Sequence, residues 1–438
     1  MCTCPLMFSR GDLQSVKLLL RAFEIFSVAS GLKMNNGKSS FYSNGVSEAI
    51  VQGIVEASGM RKGGLPFRYL GVKIVPKRLG ILDCQCLVDR VTERITRLGA
   101  KQLSYAERLI LIKSVLSTLH MYWARIFILP KKVISDIEAI CRAFLWHGQN
   151  AKESPALVSW KSICQPKRKG GLGLKSLHLW NVALMGKYVW WVELKTDHLW
   201  VKWVHTVHIK NAQWRDYEPT VNTSWAWRRI CKVKKQQMQS WFFDVNWRAG
   251  LPEYSVKLGY SWLVEEGADV AWYPWVSNRV MLPKHQFFIW LVVQNRLLTQ
   301  DRLLRMGITQ NNRCYLCGDA EEDLNQLFFS CPFRRQCLKL LEEWLQVCIP
   351  CHEVVDWLLQ IRVRSLLKKQ ILAAAIAQMM YLIWRARNCC RVEYVIPHPV
   401  GLIKQVKGTM LMRMRVSPIT VRHRSIEEWQ SNVGLSCN

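Results

Sequence analysis

The chain contains 438 residues, of which half are hydrophobic, and it carries a formal net charge of +29. This apolar content excludes a disordered protein, and the length is sufficient for about two to four domains. The 61 lysine and arginine residues outnumber the 32 acidic residues almost twofold, which favours a nucleic-acid partner over the weaker alternative, an anionic membrane surface.

The N-terminal residues predict a mixture of helix and strand. Residues 13–29 place apolar side chains at helical spacing, and Gly31 supplies a stop signal. A turn that carries Lys38 then leads into a short strand. Residues 67–74 (FRYLGVKI) predict another strand, because a glycine pair and a proline precede them.

The next stretch predicts three helices. Two long amphipathic helices cover residues 84–128, with a break near Gly99. The third covers residues 131–147 and follows Pro130, which closes the second. The pattern therefore predicts a run of three helices after the mixed N-terminal region.

The second half of the chain is rich in tryptophan. Residues 176–205 predict helix, whereas residues 206–250 are basic and are predicted to form an irregular linker. Residues 252–395 predict a mostly helical unit with a cysteine cluster in a loop. The basic tail beyond Pro397 is predicted to be poorly tied down.

The N-terminus and the hydrophobic runs bear on localisation. Residues 1–30 lack a continuous apolar core, so no signal peptide is predicted. The longest uncharged run, 370–384, is too short to span a bilayer comfortably and predicts a buried helix. We therefore expect an intracellular protein of the nucleus or cytoplasm, not secreted and without a transmembrane segment. The sixteen scattered cysteines then indicate reduced thiols or metal ligands rather than disulfides.

A basic, glycine-rich loop at residues 166–174 (PKRKGGLGL) is the first candidate for nucleic-acid binding. Its glycines would let the backbone approach phosphates, while Lys167, Arg168 and Lys169 supply positive charge. The loop lacks the pattern of a nucleotide-binding P-loop. A solvated turn is the alternative interpretation.

A second basic cluster is interleaved with tryptophans, whose faces can stack on bases. Its members are Arg228, Arg229, Lys234 and Lys235. This combination suits a surface that binds a nucleic-acid strand. A solvated basic stretch is the alternative interpretation, and tryptophans are more often core residues than stacking platforms.

The cysteine cluster is a candidate metal site. Cys314 and Cys317 stand in C-x2-C spacing, which lets two thiolates on a tight turn face one ion, and Cys331 follows fourteen residues later. Zinc prefers four ligands, and these residues supply three. Three buried cysteines without a metal are the alternative interpretation.

Carboxylates for polymerase chemistry are not evident. Such chemistry needs acidic side chains that hold two metal ions, and no Asp-Asp pair on a hydrophobic strand is present. The acidic stretch 321–323 (EED) resembles a surface segment, and the Glu265-Glu266 pair is expected to be solvated. No magnesium site is therefore expected.

A long, ordered series of segments resembles the C-terminal half of a LINE-type (non-LTR) retrotransposon reverse transcriptase of the kind abundant in plant genomes. The resembling segments are 30–42 (SGLKMNNGKSSFY), 65–74 (LPFRYLGVKI), 103–148, 159–191, 282–308 and 314–331 (CYLCGDAEEDLNQLFFSC). They cover nearly the whole chain except the linker and the tail. This extent makes the resemblance far more specific than any single motif.

The resemblance implies a predominantly α-helical α+β fold with five regions. These are a remnant of the polymerase palm at 1–80, thumb-like helices at 81–150, a Trp-rich basic connector at 151–251, a reverse transcriptase zinc-binding domain at 252–395 and a basic tail at 396–438. Within this scheme, Lys38 occupies the place of the palm lysine that protonates departing pyrophosphate. Tyr69 belongs to the hairpin that grips the primer end.

Two departures from the family pattern affect function. The catalytic aspartates would be expected near Thr3 and Cys4, neither of which holds magnesium as a carboxylate does. The family's zinc-ligating histidine is replaced by Gln326, a poor zinc ligand, so zinc is expected with an incomplete ligand set. Cys337 could substitute, but six residues along a helix turn it away from Cys331.

We therefore expect a truncated non-LTR reverse transcriptase that binds RNA or DNA and is not an enzyme as it stands. The family's third metal-binding aspartate, fingers and endonuclease are expected upstream of Met1. No membrane or small-molecule partner is expected, and protein partners stay open. The alternatives are a domesticated RNA- or protein-binding module and a fragmentary gene model of an intact RNA-directed DNA polymerase.

Overall fold

The computed structural model describes most of the chain in two compact units. The described residues are 6–35, 37, 39–43, 45–69, 72–75, 78–97, 103–119, 121–148, 156–241, 254–264, 267–349, 365–393, 397–416, 431 and 433. Residues 1–84 and 221–228 belong to the first unit, and residues 85–220 and 229–438 belong to the second.

Between residues 6 and 75, the described part of the first unit contains two α-helices and four short strands. They are α1 (Leu13–Ser30), β1 (Ser40–Phe41), α2 (Glu48–Ser58), β2 (Arg61–Lys62), β3 (Phe67–Tyr69) and β4 (Val72–Ile74). The predicted helix at 13–29 is confirmed, because the Asp12 side chain accepts a hydrogen bond from the Ser15 N–H and Gly31 ends the helix at φ 71°.

The strands of the first unit form two separate pairs. β1 pairs in parallel with β2, and β3 pairs antiparallel with β4. The pattern of residues 67–74 predicted one strand, and this is wrong: residues 67–69 and 72–74 are two antiparallel strands with Tyr69 opposite Val72, in agreement with the hairpin that the resemblance implies at Tyr69. The alternation of the run does not reveal where a chain reverses direction.

The second unit begins with a helical bundle. Its helices are α3 (Gln85–Arg97), α4 (Tyr105–Leu119), α5 (Met121–Ile126) and α6 (Lys131–His147). α3, α4 and α6 pack against one another around fully buried side chains such as Ile112, Ile137 and Leu145. The predicted helices at 84–128 and 131–147 are confirmed for the described residues.

The Trp-rich region continues the second unit. It contains α7 (Trp160–Ile163), α8 (Leu177–Glu193), α9 (Leu199–Val204) and α10 (Trp225–Trp241), the last of which starts in the first unit. The prediction of an irregular linker at 206–250 is wrong for α10, because Trp227, Ile230 and Val233 are buried along one side of it. Residues 242–250 lie outside the described residues.

The C-terminal part of the second unit is helical, as predicted. Its helices are α11 (Val256–Leu263), α12 (Tyr273–Val276), α13 (Pro283–Val293), α14 (Gln300–Arg305), α15 (Pro332–Leu345), α16 (Leu366–Glu393) and α17 (Pro399–Val416). α11 packs against α8, whereas α16 packs against α13 and α17. The predominantly helical α+β fold is therefore confirmed.

The tail was expected to be poorly tied down, and for α17 this is wrong. Val406, Met410 and Met414 are buried, and the Arg413 guanidinium donates hydrogen bonds to the carbonyl oxygens of Val280 and Arg279 at 3.1 and 3.0 Å. Apolar side chains at i, i+4 and i+8 give this basic segment one face that packs.

α16 contains the apolar run 370–384, which was predicted to be a buried helix. The helix is longer than that run, and residues Leu366–Val392 are long and apolar enough to cross a membrane by length and composition alone. In this structure 67% of the most apolar window is buried within the protein. This burial is typical of a core helix, and the predicted buried helix is confirmed.

Candidate metal centre and nucleic-acid-binding residues

The three predicted cysteines converge on one point. The sulfur atoms of Cys314, Cys317 and Cys331 all lie within 4.8 Å of one another. Tetrahedral zinc with Zn–S bonds of about 2.3 Å requires sulfurs about 3.8 Å apart, so a small contraction would bring these thiolates into range. The arrangement can bind zinc with three protein thiolates.

Backbone hydrogen bonds shape the loop that carries the first two cysteines. The Gly318 N–H donates to the Cys314 carbonyl at 2.8 Å, and the Cys314 N–H donates to the Ala320 carbonyl at 2.9 Å. Gly318 has a φ of 75°, a conformation that glycine adopts without strain. The resulting tight turn directs both thiols of the C-x2-C pair toward Cys331.

Cys331 precedes the N-terminus of α15, and this position favours its thiolate. The Cys314 thiol donates a hydrogen bond to Cys331, which lowers the pKa of Cys331 and raises the pKa of Cys314. The backbone N–H groups of Arg334 and Phe333 also lower the pKa of Cys331. A thiolate is the form that binds a metal, so α15 assists the site.

Gln326 lies beside the three thiols. Its side-chain Nε2 donates to the sulfur of Cys317 at 3.3 Å. Its Oε1 is buried and has no hydrogen-bond partner among the described residues. The amide thus lies against one of the three thiols, but a neutral amide oxygen binds zinc more weakly than imidazole. Among the described residues, the group of close potential metal ligands consists of the three cysteines.

Cys337 does not join the cluster. Within the described part of the chain, the group of mutually close potential metal ligands contains only Cys314, Cys317 and Cys331. Cys337 is fully buried in α15, and burial raises the pKa of its thiol to about 12. This residue is a packed apolar side chain rather than a replacement ligand.

A buried ion pair joins the loop that follows Cys314 and Cys317 to α16, and the sequence did not predict it. Residues 321–323 were expected to be a surface segment, and this is wrong for Glu322. Its carboxylate is fully buried and accepts hydrogen bonds from Arg387 Nε at 2.9 Å and Nη2 at 2.5 Å. The signal in the sequence was weak, because Arg387 follows the uncharged run 370–384 by three residues and stands two residues after another arginine.

The basic loop 166–174 has a structural role in addition to its charge. The carbonyl oxygen of Gly170 accepts hydrogen bonds from Trp290 Nε1 at 2.8 Å and from Gln294 Nε2 at 3.2 Å. A Cβ at Gly171 would lie 2.0 Å from the Gln165 carbonyl oxygen. These glycines therefore serve contacts within the protein. Meanwhile the side chains of Lys167 and Arg168 are exposed, and Lys169 is half-buried.

The second basic cluster is divided between surface and core. Arg228 is exposed and Arg229 is half-buried. Lys235 is exposed and forms an ion pair with Glu218 at 3.0 Å. Lys234 was predicted to contact nucleic acid, but its side chain is buried, so this prediction is wrong.

The surroundings of Lys234 explain its burial. Its ammonium donates to the carbonyl oxygens of Trp214 at 3.0 Å, Arg215 at 3.0 Å and Tyr217 at 2.6 Å. Only 2% of the residue is exposed, and burial lowers the pKa of its ammonium. A lysine whose three N–H donors are all used inside the protein has none left for a phosphate.

The resemblance assigns Lys38 and Tyr69 to the palm. Tyr69 is half-buried in β3. Lys38 lies outside the described residues, as do Thr3 and Cys4 at the place of the family's aspartates. Their roles remain predictions, as do the five domain boundaries.

Comparisons with known proteins identify the cysteine-bearing region. Residues 254–337 match the family described as zinc-binding in reverse transcriptase. An Arabidopsis thaliana protein named "Putative ribonuclease H protein At1g65750" is 28% identical over 202 residues, which are 45% of this chain and 29% of that protein. The chain thus spans less than a third of that relative. The two matches confirm the predicted resemblance and relate this chain to retrotransposon proteins.

Proposed function

We propose that this chain is the nucleic-acid-binding part of a LINE-type retrotransposon reverse transcriptase, in which a zinc-binding domain supports a basic, helical surface. The observation that carries the proposal is the convergence of Cys314, Cys317 and Cys331 inside a region that matches the zinc-binding family. The net charge of +29 supplies the affinity for a polyanion.

The exposed cations are the groups that would contact phosphates. Lys167 and Arg168 are exposed in the second unit, and Arg228 is exposed in the first. Each contact with a phosphate would release condensed counterions, so affinity should fall as salt rises. Such contacts do not read the base sequence, and we therefore propose sequence-tolerant binding to RNA or DNA, in the nucleus or cytoplasm.

We further propose that this chain binds nucleic acid without polymerase or nuclease chemistry of its own. Both reactions use carboxylates that hold divalent metal ions. Thr3 and Cys4 stand where the resemblance would place aspartates. Within the described residues, the cysteine group is the one cluster of three close potential ligands, and it contains no carboxylate.

The experiment combines a binding assay with a synthesis assay on the same substrate. A fluorescent 20-nucleotide RNA and a DNA of unrelated sequence are titrated with the purified chain between low and high salt, and a primed RNA template is supplied with magnesium and nucleotides. We expect affinity for both strands that falls steeply with salt, and no primer extension. Absent or salt-insensitive binding would overturn the binding proposal, and template-directed incorporation would overturn the second.

A further inference from the structure

A groove of about 710 Å³ lies within the second unit, between the helical bundle and the zinc-binding region. Residues from α4 and α6 line one side, and residues from α13 and α16 line the other. The two sides come from segments more than a hundred residues apart in sequence, and α4 and α13 pack directly against each other. The volume falls within the range of about 300–1,000 Å³ typical of pockets for small ligands.

Aromatic side chains form much of the groove wall. They are Tyr105, Trp146, Phe287, Phe288, Tyr381 and Trp384. Tyr105 stacks on Phe287 with ring centres 5.4 Å apart, and Phe288 meets Tyr381 edge to face at 5.5 Å. These contacts hold the rings in place.

Two of these rings are partly exposed, although the Arg108 guanidinium lies 5.5 Å from the ring centre of Tyr105 and the His285 ring lies 4.9 Å from that of Tyr381. Tyr105 is 38% exposed although Phe287 supports it from behind. Tyr381 is half-buried in α16. A ring that is fixed by packing and still accessible can stack on a base with little loss of side-chain freedom.

Cationic side chains line the same groove. Lys284 and Arg385 are exposed, and Arg391 is half-buried. The Lys284 ammonium lies 5.5 Å from the ring centre of Tyr381, so a positive charge and an aromatic face are adjacent. Arg387 also contributes to the wall, although its charge is balanced by Glu322.

No carboxylate belongs to the described lining of the groove. The nearby carboxylate of Glu107 accepts hydrogen bonds from the N–H and the hydroxyl of Ser104, at 2.7 and 2.8 Å. The lining residues themselves are therefore positive as well as aromatic, and the Glu107 carboxylate beside the groove interacts with Lys284. This charge complements a phosphate, and the aromatic faces complement an unpaired base.

We propose that this groove binds one or two unpaired nucleotides of a single-stranded nucleic acid. Lys284 and Arg385 contact the phosphates, while Tyr105 and Tyr381 stack on the bases. A duplex conceals its base faces in the stack, so it fits the cations but not the rings. The proposal rests on the proposed nucleic-acid function and adds to it a site, a strand preference and the residues responsible.

The test measures binding of the full chain to fluorescent oligonucleotides of uridine (U20) and thymidine (dT20), with a 20-base-pair duplex in parallel. Tyr105→Leu is expected to weaken binding of both single strands about tenfold, because it removes a stacking face but keeps apolar volume. Tyr105→Phe should retain parental affinity. The matched control is Tyr122→Leu, because Tyr122 is also 38% exposed and does not line the groove.

The cationic rim has its own matched pair of variants. Lys284→Gln with Arg385→Gln is expected to weaken U20 binding about tenfold and to reduce the slope of log affinity against log salt by about 1.4, the value for two lost phosphate contacts. Arg335→Gln with Lys339→Gln removes two exposed cations of α15 that lie outside the groove. This control should change affinity less than about threefold.

Photo-crosslinking of the parental chain to U20 that contains 4-thiouridine locates the strand without any substitution. Crosslinks within 103–108, 284–298 or 381–391 support the site. Three results would overturn the groove proposal and leave the proposed function standing. They are crosslinks confined to other residues, groove variants that bind as tightly as their controls, and equal affinity for the duplex and the single strands. If neither U20 nor dT20 binds at low salt, both proposals fail. A last outcome concerns lipids. If the groove variants weaken binding to phosphatidylserine vesicles but not to the oligonucleotides, the groove binds a lipid headgroup and the groove proposal is overturned.

Discussion

Glu322→Gln is expected to destabilise the second unit by about 3–5 kcal/mol, because it leaves a buried guanidinium without its counter-charge. Glu322 and Arg387 have side chains 0% and 1% exposed. The carboxylate also accepts a hydrogen bond from the Gln300 N–H at 3.0 Å, at the start of α14. Glutamine preserves the volume of the side chain, so the measured loss would report the charge and its hydrogen bonds.

Other contacts of the Arg387 guanidinium reduce the loss of stability that is expected from Glu322→Gln. Arg387 lies 5.0 Å from the ring centre of Trp384 and 5.8 Å from that of Tyr315, and its Nη1 donates to Asn388 Oδ1 at 2.9 Å. These contacts persist in the variant and partly stabilise the positive charge. We therefore expect a loss near the lower limit, about 3 kcal/mol.

Urea unfolding of the full chain, followed by tryptophan fluorescence, measures the effect without screening the ion pair by salt. The matched control is Glu93→Gln, which breaks an exposed pair with Arg97 whose side chains are 57% and 78% exposed. The control should cost less than about 1 kcal/mol.

A second substitution separates the unpaired charge from lost packing. Arg387→Met in the Glu322→Gln background removes the guanidinium and should restore part of the stability, so the two changes are not additive. If Glu322→Gln costs no more than Glu93→Gln, the ion pair does not stabilise the fold and the reasoning is refuted.

Two further predictions concern the metal centre and pH. Gln326→His is expected to raise zinc affinity and the melting temperature, because it supplies a fourth ligand to a metal that binds only the folded state. Adding Cys317→Ser should abolish the gain. Metal analysis that finds one zinc bound equally tightly by the parental chain would contradict this prediction. Burial lowers the pKa of His285 to about 4 from an unfolded value near 6.5, so protonation favours unfolding. The contribution of His285 to the free energy of unfolding should therefore be full above pH 6.5 and fall by about 3 kcal/mol as the pH decreases to 4. Urea midpoints measured across this range should depend less steeply on pH in His285→Leu than in the parent. Equal slopes of midpoint against pH would contradict the assignment.

Local patterns in the sequence determined most of the helices. Apolar spacing and the glycine at position 31 predict α1, and Pro130 correctly marks the start of α6. The spacing of Cys314 and Cys317 likewise predicts a shared point, because a two-residue separation fixes both thiols on one turn. In each case the residues that decide the outcome lie within a few positions of one another.

The tertiary structure decided which polar residues are buried. Lys234 and Lys235 are neighbours in a basic run, yet one is enclosed by three carbonyl groups and the other is exposed. Glu322 stands in an acidic triplet typical of a surface, and its partner Arg387 is 65 residues away. Local composition does not identify the carbonyl groups around Lys234 or the partner of Glu322. A buried charge is recognisable only by the group that compensates it, and here that group is distant in the sequence.

The groove shows the same division between sequence and structure. The basic excess in the sequence predicts a polyanionic partner, but it does not indicate where that partner binds. Tyr105 lies in α4 and Tyr381 in α16. The packing of α4 against α13 and of α13 against α16 brings both residues to one cavity. The sequence by itself therefore determined the helices, the cysteine pattern and the sign of the charge, whereas only the packing of distant helices decided which cations and rings share a surface, because such contacts leave no periodic signal in the chain.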